Sequence, residues 1–336
     1  MKLYDDTVIV VTGGSGFIGS AVVRELNDKG YDNIVIVDNL GSQDGIQDGI
    51  QGKWKNLVGK RFYDVIHKST LFSWLEGRQD SIEAFIHLGA CSNTLETDAN
   101  YLLENNYRYT RKLAEYALHH GHRFVYASSA ATYGDGSQGF SDAHAGLEDL
   151  KPLNMYGYSK HLVDLWAQRE GCLHQLVGLK YFNIFGPNEY HKGRMASALV
   201  RMTKDVLQKG KISLFASADP DHFADGEQKR DFLYVKDAAR MTVAFLESDV
   251  GGIFNVGTGQ ATSWNELATA VFHALKKPVH IEYIPLPEDL VGKYQNFTQA
   301  DRAKTSKALG ASAITTPVAD AVCDYVQHYL LQEARW

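Results

Sequence analysis

Cysteine is scarce in this 336-residue chain: Cys91, Cys172 and Cys323 stand far apart, with no C-x-x-C pair and no histidine nearby at metal spacing. That pattern excludes a disulfide framework and reads as free thiols in a reducing compartment, the cytoplasm. The thirteen histidines contain no H-E-x-x-H or related spacing, so no metal is expected. No apolar run approaches the roughly 20 residues that a bilayer span needs. A glycine-rich turn is reached by Gly13, too early for the apolar core and cleavage site of a signal peptide. Excess positive charge is missing as well. Thirty-four Lys and Arg against forty Asp and Glu leave a net charge of −6, which argues against a general nucleic-acid binder. Asn296-Phe297-Thr298 fits a glycosylation sequon, but in a cytoplasmic chain it reads as chance.

What is present is an ordinary globular mix, 44% hydrophobic and 22% charged. The length suits two domains of about 150 residues each. Short β-branched runs alternate with helical stretches: Val8–Val11, Ile34–Val37, Ala84–His87, Phe124–Ala127 and Val177–Lys180 read as buried strands. Continuous apolar strands separated by helices imply a parallel sheet covered on both faces, hence an α/β fold with a doubly wound, Rossmann-type sheet. Beyond Pro187 the alternation loosens into a basic helix-like stretch, the loop ADPDHFADGEQ, one more strand-like run at Gly252–Val256 and a Pro-punctuated segment, YIPLPEDL. The expected division is residues 1–187 and 231–262 for a dinucleotide-binding domain, with 188–230 and 263–336 forming a smaller, interleaved substrate domain. The tandem DGIQDGIQG at Asp44–Gly52 reads as a polar surface loop.

Between the first strand and the first helix lies Thr12-Gly13-Gly14-Ser15-Gly16-Phe17-Ile18-Gly19. Gly14, Gly16 and Gly19 fit G-x-G-x-x-G, and Gly13, Gly16 and Gly19 fit the wider G-x-x-G-x-x-G. Such glycines let the backbone approach a pyrophosphate whose charge rests on the helix N-terminus. The motif alone is weak; strand before, helix after and Asp38 nineteen residues past Gly19 make it a nucleotide site. Asp38 would accept from the adenosine ribose and favour NAD, whereas Asn39 and the nearby Lys53, Lys55 and Lys68 could serve a 2′-phosphate. Composition leaves NAD and NADP both open.

Tyr156-Gly157-Tyr158-Ser159-Lys160 places a tyrosine and a lysine four apart, on one face if helical. A tyrosine near pKa 10 is a poor base, and a neighbouring ammonium together with a positive nicotinamide ring is expected to lower that value. Ser128-Ser129-Ala130-Ala131-Thr132-Tyr133-Gly134 follows a strand and brings a hydroxyl to the sheet's carboxyl edge. Chance supplies many Y-x-x-x-K pairs, and Tyr158 reads equally as a surface residue. The three motifs together resemble the extended short-chain dehydrogenase/reductase family of nucleotide-sugar enzymes, over nearly the whole chain. That resemblance implies Ser129, Tyr156 and Lys160 as catalytic residues. Dehydratases of the family carry an Asp-Glu pair where Ala130 and Ala131 stand here, which leaves epimerisation or reduction.

Further segments resemble one branch of that family, which epimerises an ADP-sugar: Leu88–Ser92, YFNIFGP at Tyr181–Pro187, HKGRMAS at His191–Ser197, KRDF at Lys229–Phe232, FNVGTG at Phe254–Gly259 and YQNFTQAD at Tyr294–Asp301. The resemblance implies an isomerase in which bound NADP (NAD being the alternative) takes a hydride from an exocyclic carbon and returns it to the opposite face. Tyr156 would serve one epimer and Lys192 the other, since one base on one side cannot protonate oxygens in two orientations. On residues alone Lys192 is a solvated loop lysine; as a base it needs a pKa lowered by burial or by positive charge such as Arg194. The resemblance further aligns Gly13, Gly16, Phe17, Ile18, Gly19, Asp38, Asn39, Lys53, Lys68, Leu88, Gly89, Ala90, Cys91, Ser92, Asn105, Lys160, Ile184 and Lys192 with cofactor contacts. Asn183, Arg194, Arg201, Phe215, Ala216, Ser217, Ala218, Arg230 and Tyr294 align with substrate contacts.

Between Lys192 and Lys211 six basic residues face one acid, a local positive field suited to an anionic ADP-sugar. Its plain alternative is a solvated helix face. The resemblance also implies a homo-oligomer, a pentamer, with no nucleic-acid or membrane partner. Cys91 reads as a small packing residue, and a few extra residues between Gly134 and Pro152 read as a surface insertion. A UDP-hexose 4-epimerase or reductase of the same family is the alternative function.

Overall fold

A computed structural model describes residues 7–41, 52–287 and 295–336. Six strands, Val8–Thr12 (β1), Ile34–Asp38 (β2), Asp64–His67 (β3), Ile82–His87 (β4), Arg123–Ser129 (β5) and Leu176–Tyr181 (β6), join Gly252–Val256 in one parallel sheet. Across the sheet the order is Gly252–Val256, β6, β5, β4, β1, β2, β3. The strand order reverses between β1 and β4, which run parallel, and that switch point is where an open α/β sheet offers a crevice at its carboxyl edge.

The strands alternate which face they serve. Val11, Ile36, Ile86, Val125 and Val177 join one core with the helices Phe17–Asp28 and Val235–Glu247. Val10, Val35, Phe85, Phe124 and Tyr126 join the other with the helices Tyr109–His120 and Met155–Arg169. Side chains alternate across a strand, so burial on both faces demands the unbroken apolar runs seen in the sequence. Each such aliphatic side chain withdrawn from water contributes roughly 1.5–3 kcal/mol.

Strands β1, β2, β4, β5 and β6 extend the expected runs by one to three residues, since polar ends such as Asp38 and Ser129 still pair in register. The edge strand β3 (DVIH) was not foreseen; its ends are exposed and its pattern half polar, as befits an edge. The repeat at Asp44–Gly52 lies outside the described residues except for Gly52.

Later segments form smaller pairings. Asn183–Phe185 runs beside Phe232–Tyr234, Ile212–Phe215 beside Ile281–Ile284, and Lys229–Arg230 against Thr262–Ser263. The stretch from Gly134 to Pro152, within which a few extra residues were expected at the surface, is tied to the sheet at Phe140, Asp142 and His144. Asn255 N donates to Asp142 Oδ2 at 2.8 Å and Asn255 Nδ2 to the Phe140 carbonyl at 2.8 Å, while Ile253 N donates to His144 Nε2 at 3.1 Å. No helix among the described residues is long and apolar enough to cross a membrane.

Candidate active site

The glycine turn leaves β1 with Gly13 at φ +68°, and a Cβ there would stand 2.8 Å from Gly89 N, in the segment after β4. A Cβ on Gly19 would lie 2.0 Å from the Gly13 carbonyl oxygen. The turn therefore closes only around hydrogen side chains. Gly16 caps the helix Phe17–Asp28 without a side-chain hydrogen bond, so the first-turn N–H groups stay available to an external acceptor. A bare cradle at a helix N-terminus fits a pyrophosphate, and in the dinucleotide reading Gly13, Gly16, Phe17, Ile18 and Gly19 surround it.

Asp38, at the end of β2, is buried. Its carboxylate accepts from Ser15 N at 3.0 Å, from the Ser15 hydroxyl, from Asn39 N at 2.7 Å and from Lys53 Nζ at 2.5 Å. Lys53 also passes Gly16, its Cε 3.6 Å from where a Cβ would be. On the other flank Lys68 Nζ donates to Asn105 Oδ1 at 2.8 Å, and Asn105 donates to Asn106. Asn106 Nδ2 donates to the Cys91 carbonyl and to Ser159 Oγ, each at 3.0 Å, and its Oδ1 accepts from Cys91 N at 2.8 Å. Lys68, Asn105, the Leu88–Ser92 segment and the helix Met155–Arg169 thus share one network. Within it Cys91 is half-buried and Ser92 exposed.

That helix is begun by Asn154, whose side chain accepts from Gly157 N at 2.8 Å. A Cβ on Gly157 would stand 2.7 Å from the Ala131 carbonyl, so the helix packs tightly on the serine segment. Tyr156 hydrogen-bonds Ser129, while Tyr158 is 45% exposed. Burial pushes the Tyr156 phenol above its ordinary value and the bond to Ser129 opposes this. The expected lowering by Lys160 is absent. That ammonium, itself buried and pushed down to about 8 by burial, donates to the Ala127 carbonyl at 2.8 Å. Beneath it the fully buried Asp164 accepts from Tyr126 Oη at 2.9 Å and Ser128 Oγ at 2.8 Å, with Lys180 Nζ at 3.3 Å. Sequence reading missed this pair because Lys180 sits in an otherwise apolar strand run.

Lys192 belongs to the turn Tyr190–Met195, and its Nζ stands 5.0 Å from the Phe17 ring centroid, over the glycine-turn helix. Burial lowers its pKa and Glu189 opposes the shift. Of the two expected causes it is burial that acts; Arg194, the positive charge offered beside it, is exposed and takes no part.

Among the candidate substrate contacts, Asn183 N donates to the Asp231 carbonyl at 3.0 Å and Ile184 follows it. Arg230 is buried and donates to the Lys229 carbonyl. Phe215 ends a strand, Ala216 N donates to the Ile284 carbonyl, and Ser217 N donates to Asp225. Ala218 is exposed, as is Arg201 on the helix Ala198–Lys209; Tyr294 lies outside the described residues. The positive stretch is partly neutralised, since Lys209 pairs with Asp205 at 2.7 Å and Lys211 with Glu282 at 2.8 Å. Among the described residues no group of three or more His, Cys, Asp or Glu could hold a metal ion.

Buried polar residues that tie the site together also escaped sequence reading. Asn56 Nδ2 donates to the carbonyls of Ser15 at 3.1 Å and Asn188 at 3.0 Å. Asn188 Nδ2 donates to Ser20 Oγ at 3.0 Å and to the Trp336 carbonyl at 2.9 Å, and its Oδ1 accepts from Trp336 N at 2.9 Å. Asp231 accepts from Thr258 N, Gly259 N and Ala300 N. The only signal for Asp231 was its place in K-R-D-F.

Residues 9–257 match the model of the NAD dependent epimerase/dehydratase family. An ADP-L-glycero-D-manno-heptose-6-epimerase of Nitratidesulfovibrio vulgaris strain DP4 is 51% identical over 324 residues, covering 96% of this chain and 97% of the relative. Among solved structures, the ADP-L-glycero-D-manno-heptose-6-epimerase of Helicobacter pylori superposes with a TM-score of 0.79 at 26% identity, covering 96% of each chain. The UDP-glucuronic acid 4-epimerase of Bacillus cereus, in complex with UDP-glucuronic acid and NAD, gives 0.75 at 25% identity over 98% of this chain and all of the other. With this sheet, glycine turn and Ser-Tyr-Lys constellation, the chain belongs to the NAD dependent epimerase/dehydratase family, among its ADP-L-glycero-D-manno-heptose-6-epimerases.

Proposed function

We propose that this chain interconverts ADP-D-glycero- and ADP-L-glycero-D-manno-heptose by transient oxidation at C-6. The observation that carries the reading is two ionisable groups on separate elements: Tyr156, held by Ser129 at the end of β5, and Lys192, over Phe17 at the glycine turn. A bound nicotinamide supplies reversible hydride acceptance. Gly13, Gly16, Phe17, Ile18, Gly19, Leu88–Ser92, Asn105 and Ile184 would enclose the cofactor, and Asp38, Asn39, Lys53 and Lys68 would select its adenosine end.

Lys53 neutralises Asp38, the acid that would repel a 2′-phosphate, and this supports NADP over NAD. Tyr156 Oη holds the proton of the C-6 hydroxyl in one epimer and Lys192 Nζ in the other. Burial lowers the lysine toward a basic amine, and the tyrosine needs the cofactor's positive charge to offset its burial. Lys160, pinned to Ala127, fixes the floor of the tyrosine site. Asn183, Arg194, Arg201, Phe215–Ala218, Arg230 and Tyr294 are proposed to hold the ADP-sugar, with residues 188–230 and 263–336 as the substrate domain and 1–187 with 231–262 binding the cofactor. The same reading places the enzyme in the cytoplasm as a homo-oligomer.

The experiment is to mix the protein with ADP-D-glycero-D-manno-heptose and follow the epimer ratio by NMR. Tyr156→Phe and Lys192→Met each lower kcat about 10²–10⁴-fold, the range for one lost acid–base group. A double variant working at the normal rate defeats the two-base assignment, and turnover of UDP-hexoses without turnover of ADP-heptose favours the 4-epimerase.

A further inference from the structure

The loop that presents Lys192 is closed by a carboxylate with no exposure at all, Glu189. Its Oε1 accepts from Ser197 Oγ at 2.6 Å and from Tyr325 Oη at 3.0 Å, with Gly186 N at 3.5 Å. Its Oε2 accepts from Ser197 N at 2.6 Å. One side chain thus joins both ends of the loop, Gly186 and Ser197, to the fully buried Tyr325 of the helix Val318–Tyr325. Its main chain reaches the lysine directly: Lys192 N donates to the Glu189 carbonyl at 2.9 Å.

A buried carboxylate is costly unless donors and a counter-charge surround it. The donors are those named. The counter-charge is the Lys192 ammonium, which opposes the upward push of burial on Glu189 as Glu189 opposes the downward push on Lys192. The other ionisable groups around this pair are Tyr190 and Tyr325 on the glutamate's side and His191 on the lysine's, His191 in turn feeling Lys53 and Asp38. Among them Glu189 is the only carboxylate that acts on Lys192.

We propose that Glu189 is the positioning residue for Lys192, its buried carboxylate locking the 186–197 loop so that the ammonium stands over Phe17. This rests on Lys192 being a proton-transfer group. A carboxylate that served only as a loop staple would, when lost, impair the enzyme equally whether or not the lysine were present.

The test is a double-mutant cycle on the full chain, with Glu189→Gln, Lys192→Met and both together assayed by epimer interconversion across pH. A displacement of about 1 Å in a reacting group costs about a hundredfold in rate. Glu189→Gln is therefore expected to lower kcat about tenfold to a hundredfold with KM within about twofold. It should also shift the Lys192 limb of the pH profile downward, because the carboxylate no longer favours the charged amine. In the Lys192→Met background the same change should have no further effect. Ser197→Ala, which removes one of the bonds and leaves the charge, should give a smaller kcat loss with the limb unmoved, and serves if Glu189→Gln fails to fold. Equal losses in both backgrounds, or for Ser197→Ala a loss that persists without the lysine, overturn the proposal. A Lys192→Met enzyme with unchanged kcat overturns instead the reading on which it rests, and the two failures are told apart by that single variant.

Discussion

Adding one methyl group at Gly19 tests the geometry of the glycine cradle. A Cβ there would sit 2.0 Å from the Gly13 carbonyl oxygen, 2.7 Å from its carbon and 2.9 Å from Gly14 Cα, where real Cβ contacts essentially never fall below 3.0 Å. The turn must therefore open by about 1 Å, and all three obstacles are backbone. In an unobstructed helix the same change would stabilise by about 1 kcal/mol. Here overpacking is expected to cost about 1–3 kcal/mol instead. The same 1 Å moves the first-turn N–H groups off their acceptor, so Gly19→Ala should weaken cofactor binding about 10–100-fold, the value of a charged hydrogen bond. Gly146→Ala, exposed and with nothing within 4 Å of its Cβ, is the control and should change neither quantity. Denaturant unfolding and NADPH fluorescence titration measure both. A Gly19→Ala protein as stable as the control, binding cofactor normally, would refute the close-approach reasoning.

Two further outcomes follow from the same neighbourhood. His87, buried between Thr12 Oγ1 at 2.6 Å and Thr110 Oγ1 at 2.8 Å, is pushed down to about 3 by burial and by Lys160. The native ring stays neutral while the unfolded chain takes up a proton below about pH 6.5. Stability should therefore fall as pH drops from 6.5 toward 3, by about 2 kcal/mol at pH 5 from this group alone. His87→Asn should lack that part of the slope in unfolding curves at pH 7 and 5, and an unchanged slope would rule the histidine out. Lys53→Met removes the ammonium paired with Asp38. It should weaken NADP binding about 10–100-fold, the value of a charged hydrogen bond, and leave NAD within a few-fold. Equal losses for the two cofactors in calorimetric titrations would show that Lys53 does not choose between them.

Local patterns made much of this legible. Unbroken apolar runs announced strands covered on both faces, and Gly13, Gly16 and Gly19 announced the turn, a Cβ being excluded at Gly13 and Gly19. Tyr156 and Lys160 were readable as a pair because helical spacing is a local property. What escaped depends on chain segments far apart in sequence. Glu189 and Tyr325 are separated by 136 positions, and Asn188 and Trp336 by 148. In a single sequence these are ordinary polar residues, and burial alone turns them into structure. That Lys160 alone does not lower Tyr156 was hidden for a similar reason. Spacing put an ammonium four residues away, but not that its bond would go to Ala127.

The contacts made by residues 334–336 bear on how firmly the lysine turn is held. Tyr190 Oη donates to the Ala334 carbonyl, Arg335 Nε to Asn56 Oδ1, and Trp336 meets Asn188 through both its N–H and its carbonyl. They give the lysine turn a second tether, beside the one that Glu189 provides, to a segment 144 to 148 positions away in sequence. Loosening of that segment would free the turn while the sheet and the glycine cradle stayed formed.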